Sequence, residues 1–175
     1  MRKQKKADDT ADKLRQLGPP RVLVVDDNVD AARLLGKLFR RAGYEVGESS
    51  DPQMTINALA EQPVSALVAS YSTTGTGASL RLLDMIRNHG DPRVNNSRFL
   101  LISDHPRKRI FCYQAGADAI LLRPFESADL LGQVTAMIER TEDERVPYRR
   151  QQVRLLKASN DGPLDAGSVR APVAY

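Results

Sequence analysis

Short apolar runs alternating with stretches of helical spacing constrain this chain more than any other feature. VLVV (Val22–Val25), SALVAS (Ser65–Ser70), FLLIS (Phe99–Ser103) and AILL (Ala119–Leu122) are near-continuously apolar. Such runs suit strands covered on both faces, since a solvated face would call for alternating polar residues. After the first run, Ala31, Leu34, Leu35, Leu38, Phe39 and Ala42 recur every three or four residues, and Gly43 offers a left-handed stop. Tyr44–Val46 can add a strand, and Asp51-Pro52 opens a helix that turns Ile56 and Leu59 inward. Leu80, Leu83 and Ile86 mark a third helix. Ile110, Phe111 and Ala115 mark a fourth, ended by Gly116, and Leu130, Leu131, Val134, Met137 and Ile138 mark a fifth. Five such alternations predict an α/β fold, a doubly wound (βα)5 domain with a five-stranded parallel sheet.

At 175 residues the chain holds one well-buried domain with extensions. Residues 1–20 read as a basic, flexible arm closing on Gly18-Pro19-Pro20, with a transient helix around Ala11–Leu17. Residues 21–144 read as the domain. Residues 145–175 read as a basic tail, largely disordered when free. The first segment carries six Lys/Arg against three Asp, the last six against two, and the middle fourteen against seventeen acids. The net charge of +4 therefore arises wholly in the ends, and affinity for polyanions would rest there. No apolar run is long enough to span a membrane, and no signal core follows MRKQKK. One cysteine, Cys112, makes no internal disulfide and is expected as a small buried hydrophobe. A reduced, cytoplasmic protein without membrane insertion is expected. His89 and His105 are too isolated to suggest a metal site.

In an open α/β sheet, sites form beyond the carboxyl ends of the strands. Here those ends are Asp26-Asp27, Ser70, Ser103 and Arg123-Pro124. The third is followed by an expected exposed loop, SYSTTGTG, made of hydroxyl residues and glycines without a carboxylate, thiol or imidazole.

VLVVDDN, the loop with Gly75, LLIS and GADAILLRPF, in this order and spacing, resemble the receiver domain of bacterial response regulators, a flavodoxin-like, CheY-like family. The resemblance covers about residues 21–140. It implies a domain that takes a phosphoryl group from a histidine kinase onto an aspartate ending the third strand. Two acids after the first strand would hold Mg²⁺, matched by Asp26 and Asp27. A hydroxyl residue ending the fourth strand would contact the phosphoryl group, matched by Ser103. A lysine before proline after the fifth strand would pair with it, and Arg123 stands there. The acceptor aspartate falls on Ser70, and Thr74 replaces the proline of a Pro-Gly turn.

The departures carry the functional reading. Acyl phosphate formation needs an ionised carboxylate, whereas an unactivated serine hydroxyl stays protonated near neutral pH. No His, Lys or Cys at the strand ends could act as its base. Losing the aspartate also removes an anionic ligand, so Asp26 and Asp27 are expected to bind Mg²⁺ weakly or vestigially. Arginine keeps the charge but presents a planar fork, expected to lie across Asp26 or Asp27 in place of the cation. Asp27 is also a candidate N-cap for the first helix. Ile120 stands where receivers commonly carry a switch aromatic. Ser103 is then expected as a strand-end hydroxyl satisfied by backbone.

The expected protein is a degenerate pseudo-receiver. It would be a single-domain, atypical response regulator without catalysis, acting in two-component signalling as a phosphorylation-independent binding module. Its partner would be a histidine kinase, a phosphotransfer protein or another regulator. In the family the first helix docks on kinases and the fourth and fifth carry output contacts. Arg33, Lys37, Arg40 and Arg41 line the first helix, and Arg107-Lys108-Arg109 opens the fourth. A homodimer through the fourth and fifth helices is open. The alternative is cyclic di-GMP or nucleic acid held by Arg145, Tyr148, Arg149, Arg150 and Arg154, since arginine forks bind phosphates and stack on bases. Two RxxxR spacings there match a weak signal of PilZ domains, although too few residues follow for that domain.

Overall fold

The computed structural model describes residues 18–160. Five strands form one parallel sheet: β1 (Arg21–Val25), β2 (Glu45–Ser49), β3 (Ala66–Ala69), β4 (Phe99–Ser103) and β5 (Ala119–Leu122). Their order is β2-β1-β3-β4-β5, so the chain reverses winding direction between β1 and β3. β1, flanked by β2 and β3, pairs Val25 with Ser49 on one side and Ala69 on the other. The next residues, Asp26 and Ser70, are thereby delivered side by side at the switch point.

Six longer helices and one short one surround the sheet: α1 (Val29–Arg41), α2 (Pro52–Glu61), α3 (Thr76–Arg87), the single turn α4 (Pro92–Asn95), α5 (Arg109–Gln114), α6 (Ser127–Glu139) and α7 (Glu142–Asn160). One core layer joins Leu23, Leu67, Phe99 and Leu101 to Ile56, Leu83, Ile86 and Cys112 from α2, α3 and α5. The other joins Val22, Val24, Val68 and Leu100 to Phe39, Leu130, Val134 and Met137 from α1 and α6. The predicted doubly wound sheet is the observed one. Asp51 caps α2, accepting from the N–H of Met54 at 2.9 Å, as the Asp-Pro start implied. Gly43 and Gly116 take positive φ, 90° and 104°, where their helices stop.

Several local expectations change. β2 runs four residues beyond Glu45 rather than stopping at Val46. Phe111 faces outward from α5, and Cys112 and Tyr113 supply its buried side. The tail is the largest correction. Residues 145–160 are not irregular but lie in α7, whose start at Glu142 carries helix across the expected boundary after residue 144. Its inward positions, Arg145, Tyr148, Arg149, Val153 and Leu156, recur at three and four residues, but arginine and tyrosine disguise the stripe. Glu142, Asp143 and Glu144 suit the positive end of the helix, while Pro147, its sixth residue, removes one N–H donor from the helix interior. The suggested helix at Ala11–Leu17 and the chain after Asn160 lie outside the described residues.

Candidate functional site: the carboxyl ends of the strands

Asp26 is fully buried, and one oxygen, Oδ1, accepts three hydrogen bonds. They come from the N–H of Asn28 at 3.0 Å, the N–H of Ser72 at 2.9 Å and the Ser72 hydroxyl at 2.8 Å. Asp27 accepts from the N–H of Thr73 at 2.9 Å on one oxygen. Its other oxygen accepts from the N–H and the hydroxyl of Thr74, at 2.7 and 2.6 Å. The hydroxyl-rich loop thus folds back over the acids and supplies five of their donors. Burial works against charge on Asp27, but the Thr74 hydroxyl, the Thr73 and Thr74 N–H groups and the adjoining Asp26 carboxyl hold its pKa down at about 2.

The loop turns back because Tyr71 adopts a left-handed backbone, φ 39°, and its carbonyl accepts from the N–H of Gly75 at 2.7 Å. Ser70, Tyr71 and Thr76 are buried, so only Ser72–Thr74 reach solvent fully, where a wholly exposed loop was expected. Burial first, then the charges of Asp27, Asp51 and Asp26, push the Tyr71 phenol up from its ordinary pKa.

Arg123 does not bridge the acid pair as expected. One terminal nitrogen donates to the Ser70 carbonyl at 3.2 Å and to the Ser70 hydroxyl; the other donates to Asp104 at 3.1 Å. The loop bonds both Asp27 oxygens and one of Asp26, and the fork bonds Ser70 and Asp104 instead. Asp27 is not the cap of α1 either. Asn28 takes that place, accepting from the N–H groups of Asp30 and Ala31 at 3.0 and 3.2 Å. Ser103 is buried, sharing a hydrogen bond with the Thr76 hydroxyl at 3.0 Å and accepting from the N–H of His105 at 3.0 Å. Ile120 packs in the core layer with α5.

A Mg²⁺ ion at this place would need oxygen ligands in near-octahedral array. Both Asp27 oxygens and Asp26 Oδ1 already face N–H or O–H donors, leaving buried Asp26 Oδ2 without a partner. Ser70 is neutral, and a guanidinium lies against it. These residues do not fit a resident divalent cation, and among the described residues no three His, Cys, Asp or Glu side chains form a metal-sized group.

The arginine-rich segment has structural work to do. Asp118, fully buried, accepts from Arg145 at 2.8 and 3.0 Å, from Arg149 at 2.8 Å, from Arg87 at 3.0 Å and from the N–H of Phe99 at 3.0 Å. Burial opposes its charge, yet the arginines hold its pKa below the usual carboxylate range. Tyr148 lies beneath Arg140, whose guanidinium carbon is 3.4 Å from the ring centre, and meets Tyr113 edge-on. Of the five residues proposed as nucleotide contacts, Arg145, Tyr148 and Arg149 are thus engaged in docking α7. Arg150 and Arg154 are exposed. Ser72, Thr73, Asp104 and Asp118 were given no individual role from the sequence, and Thr74 was noted only as the residue standing for a turn proline. The hydroxyl run after β3 was the one visible signal, because donors are what two adjacent acids lack.

A pair of adjacent acids, one buried and one reaching solvent, at the switch point of a five-stranded parallel sheet, with hydroxyl and cationic side chains at the next strand ends, defines a receiver-type domain. The response regulator receiver domain family matches residues 22–135, and the chain belongs to it. Among curated relatives it is 29% identical over 126 residues to the transcriptional regulatory protein PrrA of Mycobacterium tuberculosis, covering 69% of this chain and 51% of that protein. It is 27% identical over 151 residues to the sensory/regulatory protein RpfC of Xanthomonas campestris, covering 83% of this chain and 20% of that one. The chain therefore spans about half of PrrA's length and a fifth of RpfC's. Solved structures agree in fold. The chemotaxis response regulator CheY4 of Vibrio cholerae superposes with TM-score 0.58 at 20% identity, covering 68% of this chain and 98% of that one. A CheY-like receiver protein of Methanospirillum hungatei gives 0.60 at 18%, covering 73% and 99%.

Proposed function

We propose that this receiver domain of two-component signalling works as a docking module whose state is not set by phosphorylation, and that it has no catalysis of its own. The observation that carries this reading is Ser70 at the acceptor position, buried and bonded by Arg123. An alcohol there offers no anionic nucleophile, and none of its bonded neighbours is a base. The acid pair is held by loop donors instead of a cation, so the arrangement that would organise an incoming phosphoryl group is already closed. The partner would be a kinase, phosphotransfer protein or other regulator, met in the cytoplasm. Among the described residues no helix is long and apolar enough to cross a membrane. The alternative, cyclic di-GMP or nucleic acid on the arginine segment, keeps only Arg150 and Arg154 uncommitted among its five residues.

Melting the protein with and without beryllofluoride and Mg²⁺ tests the reading. A ligand that binds only the folded state at a hundredfold excess over its Kd adds about 2.7 kcal/mol, several degrees for a domain of this size. An unchanged melting temperature is expected here. A rise of several degrees would refute the closed site.

A further inference from the structure

We propose that the seam between α5 and α7 docks an acidic, amphipathic helix of a partner protein. The proposal rests on the docking-module reading and names the chemistry of what docks.

Charge is the first ground. Residues 105–117 and 145–157 contain eight Lys/Arg and no Asp or Glu. Arg145 and Arg149 are paired with Asp118 beneath them, and Arg145 with Glu142 as well. Among the described residues Arg107, Lys108, Arg109, Arg150, Arg154 and Lys157 make no ion pair, and α7 has no acid after Glu144 to supply one. These six cations, three in and just before the first turn of α5 and three on α7, repel one another, and an anionic partner relieves that repulsion.

Shape and polarity are the second. Two open hollows lie along the seam. One, of about 430 Å³, is lined by Tyr113 from α5 and by Val146, Arg150, Val153 and Arg154 from α7. The other, of about 450 Å³, lies among Pro106, Arg107, Ile110 and Leu156. Val146, Arg150, Val153, Arg154 and Lys157 follow one another at helical spacing, so alkyl groups and cations share one edge of α7. From Val146 to Leu156 that edge is about 15 Å long, close to three helical turns. Both hollows are of a size to take leucine-like side chains, while the flanking cations meet carboxylates between them. A nucleic-acid backbone would use the cations but leave the alkyl floor against water. The mixed lining therefore favours a peptide whose apolar residues recur at i, i+3, i+4 and i+7 with acids between them.

The test is fluorescence anisotropy with full-length protein and a labelled helical peptide carrying leucines at i, i+3, i+4 and i+7 and glutamates elsewhere. Saturable binding that weakens with salt is expected. Arg150→Glu/Arg154→Glu should weaken it by about tenfold or more, Arg150→Ala/Arg154→Ala by less, and Arg33→Glu/Lys37→Glu on α1 not at all. Arg150 and Arg154 are exposed and make no hydrogen bond or ion pair among the described residues, so circular dichroism melts of these variants should match the native protein. The proposal is overturned if the peptide does not bind, or if a scrambled peptide of equal composition binds as well. It is overturned equally if the α1 variant loses as much, or if oligo-dT or cyclic di-GMP binds this face more tightly than the peptide. Phosphorylation of the chain would refute the proposed function without touching this result. A failed peptide titration with no phosphorylation would leave the closed site standing.

Discussion

Thr74 donates to the same oxygen of Asp27 twice, from its N–H at 2.7 Å and from its hydroxyl at 2.6 Å. Together with Ser72 and Thr73, it lets a neutral loop do for two adjacent carboxylates what a bound cation would otherwise do: supply positive charge density at short range. The arrangement has a pH signature. Asp27 is held at about 2, below its ordinary 3.8, so its contribution is fully present above about pH 4 and fades as pH falls towards 2. Screening by solvent reduces that contribution to about 1 kcal/mol. Urea unfolding of the native protein should lose about that much over this window, and Asp27→Asn should lose it already at neutral pH and flatten that part of the curve. Equal pH dependence in both proteins would contradict the assignment.

Thr74→Val removes the hydroxyl but keeps size and backbone. A cost of about 1 kcal/mol at neutral pH is expected from the lost charge-assisted bond, with the Asp27 carboxyl titrating closer to its ordinary value by NMR. An unmoved carboxyl resonance would show that the backbone donors suffice.

Asp118 faces three guanidinium groups in a dry site. Asp118→Asn would leave Arg87 and Arg149 without a carboxylate among the described residues and Arg145 with Glu142 alone, at a cost of about 3–5 kcal/mol. The loss should appear first where Arg145 and Arg149 bind, so limited trypsin should cut in α7 well before the rest unfolds. Cleavage spread evenly over the chain would mean that Asp118 supports the sheet rather than the helix.

How far the sequence could be read depended on whether a residue's partners lie nearby in the chain. Four strands of the sheet were legible, because runs such as Val22–Val25 or Phe99–Ser103 announce double-sided burial by composition alone, whereas the extent of β2, EVGES at the sheet edge, was not. So were the residues brought to the strand ends, Asp26, Asp27, Ser70, Ser103 and Arg123, because strand order places them together. The direction of Arg123 was not, since its acceptors, Asp104 and the Ser70 oxygens, are decided by which donors the 72–74 loop has already spent on the acids. Helix α7 was missed for a similar reason. Its inward stripe includes Arg145 and Arg149, polar unless Asp118, about thirty residues upstream, is known to lie beneath. The short turn α4 is held by Asp91, which accepts from the N–H of Arg93 at 2.9 Å, and its one buried apolar residue, Val94, leaves no periodicity to see.

Cys112 is fully buried in α5, and burial raises its thiol pKa despite the nearby charge of Lys108. Reaction with a thiol reagent at mildly alkaline pH should therefore be slow and should follow unfolding, rising steeply only near the denaturant midpoint. Rapid labelling of the native protein would show that α5 opens locally.

The most direct measurement is intact-mass spectrometry of the native protein after incubation with acetyl phosphate and Mg²⁺, beside a Ser70→Asp/Arg123→Lys variant. With an alcohol at the end of β3 and a guanidinium bonded to it, the native chain should gain no phosphoryl group, whereas the variant regains the carboxylate and compact ammonium that such transfer uses. A stoichiometric phosphoryl adduct on the native chain would contradict the closed, phosphorylation-independent site.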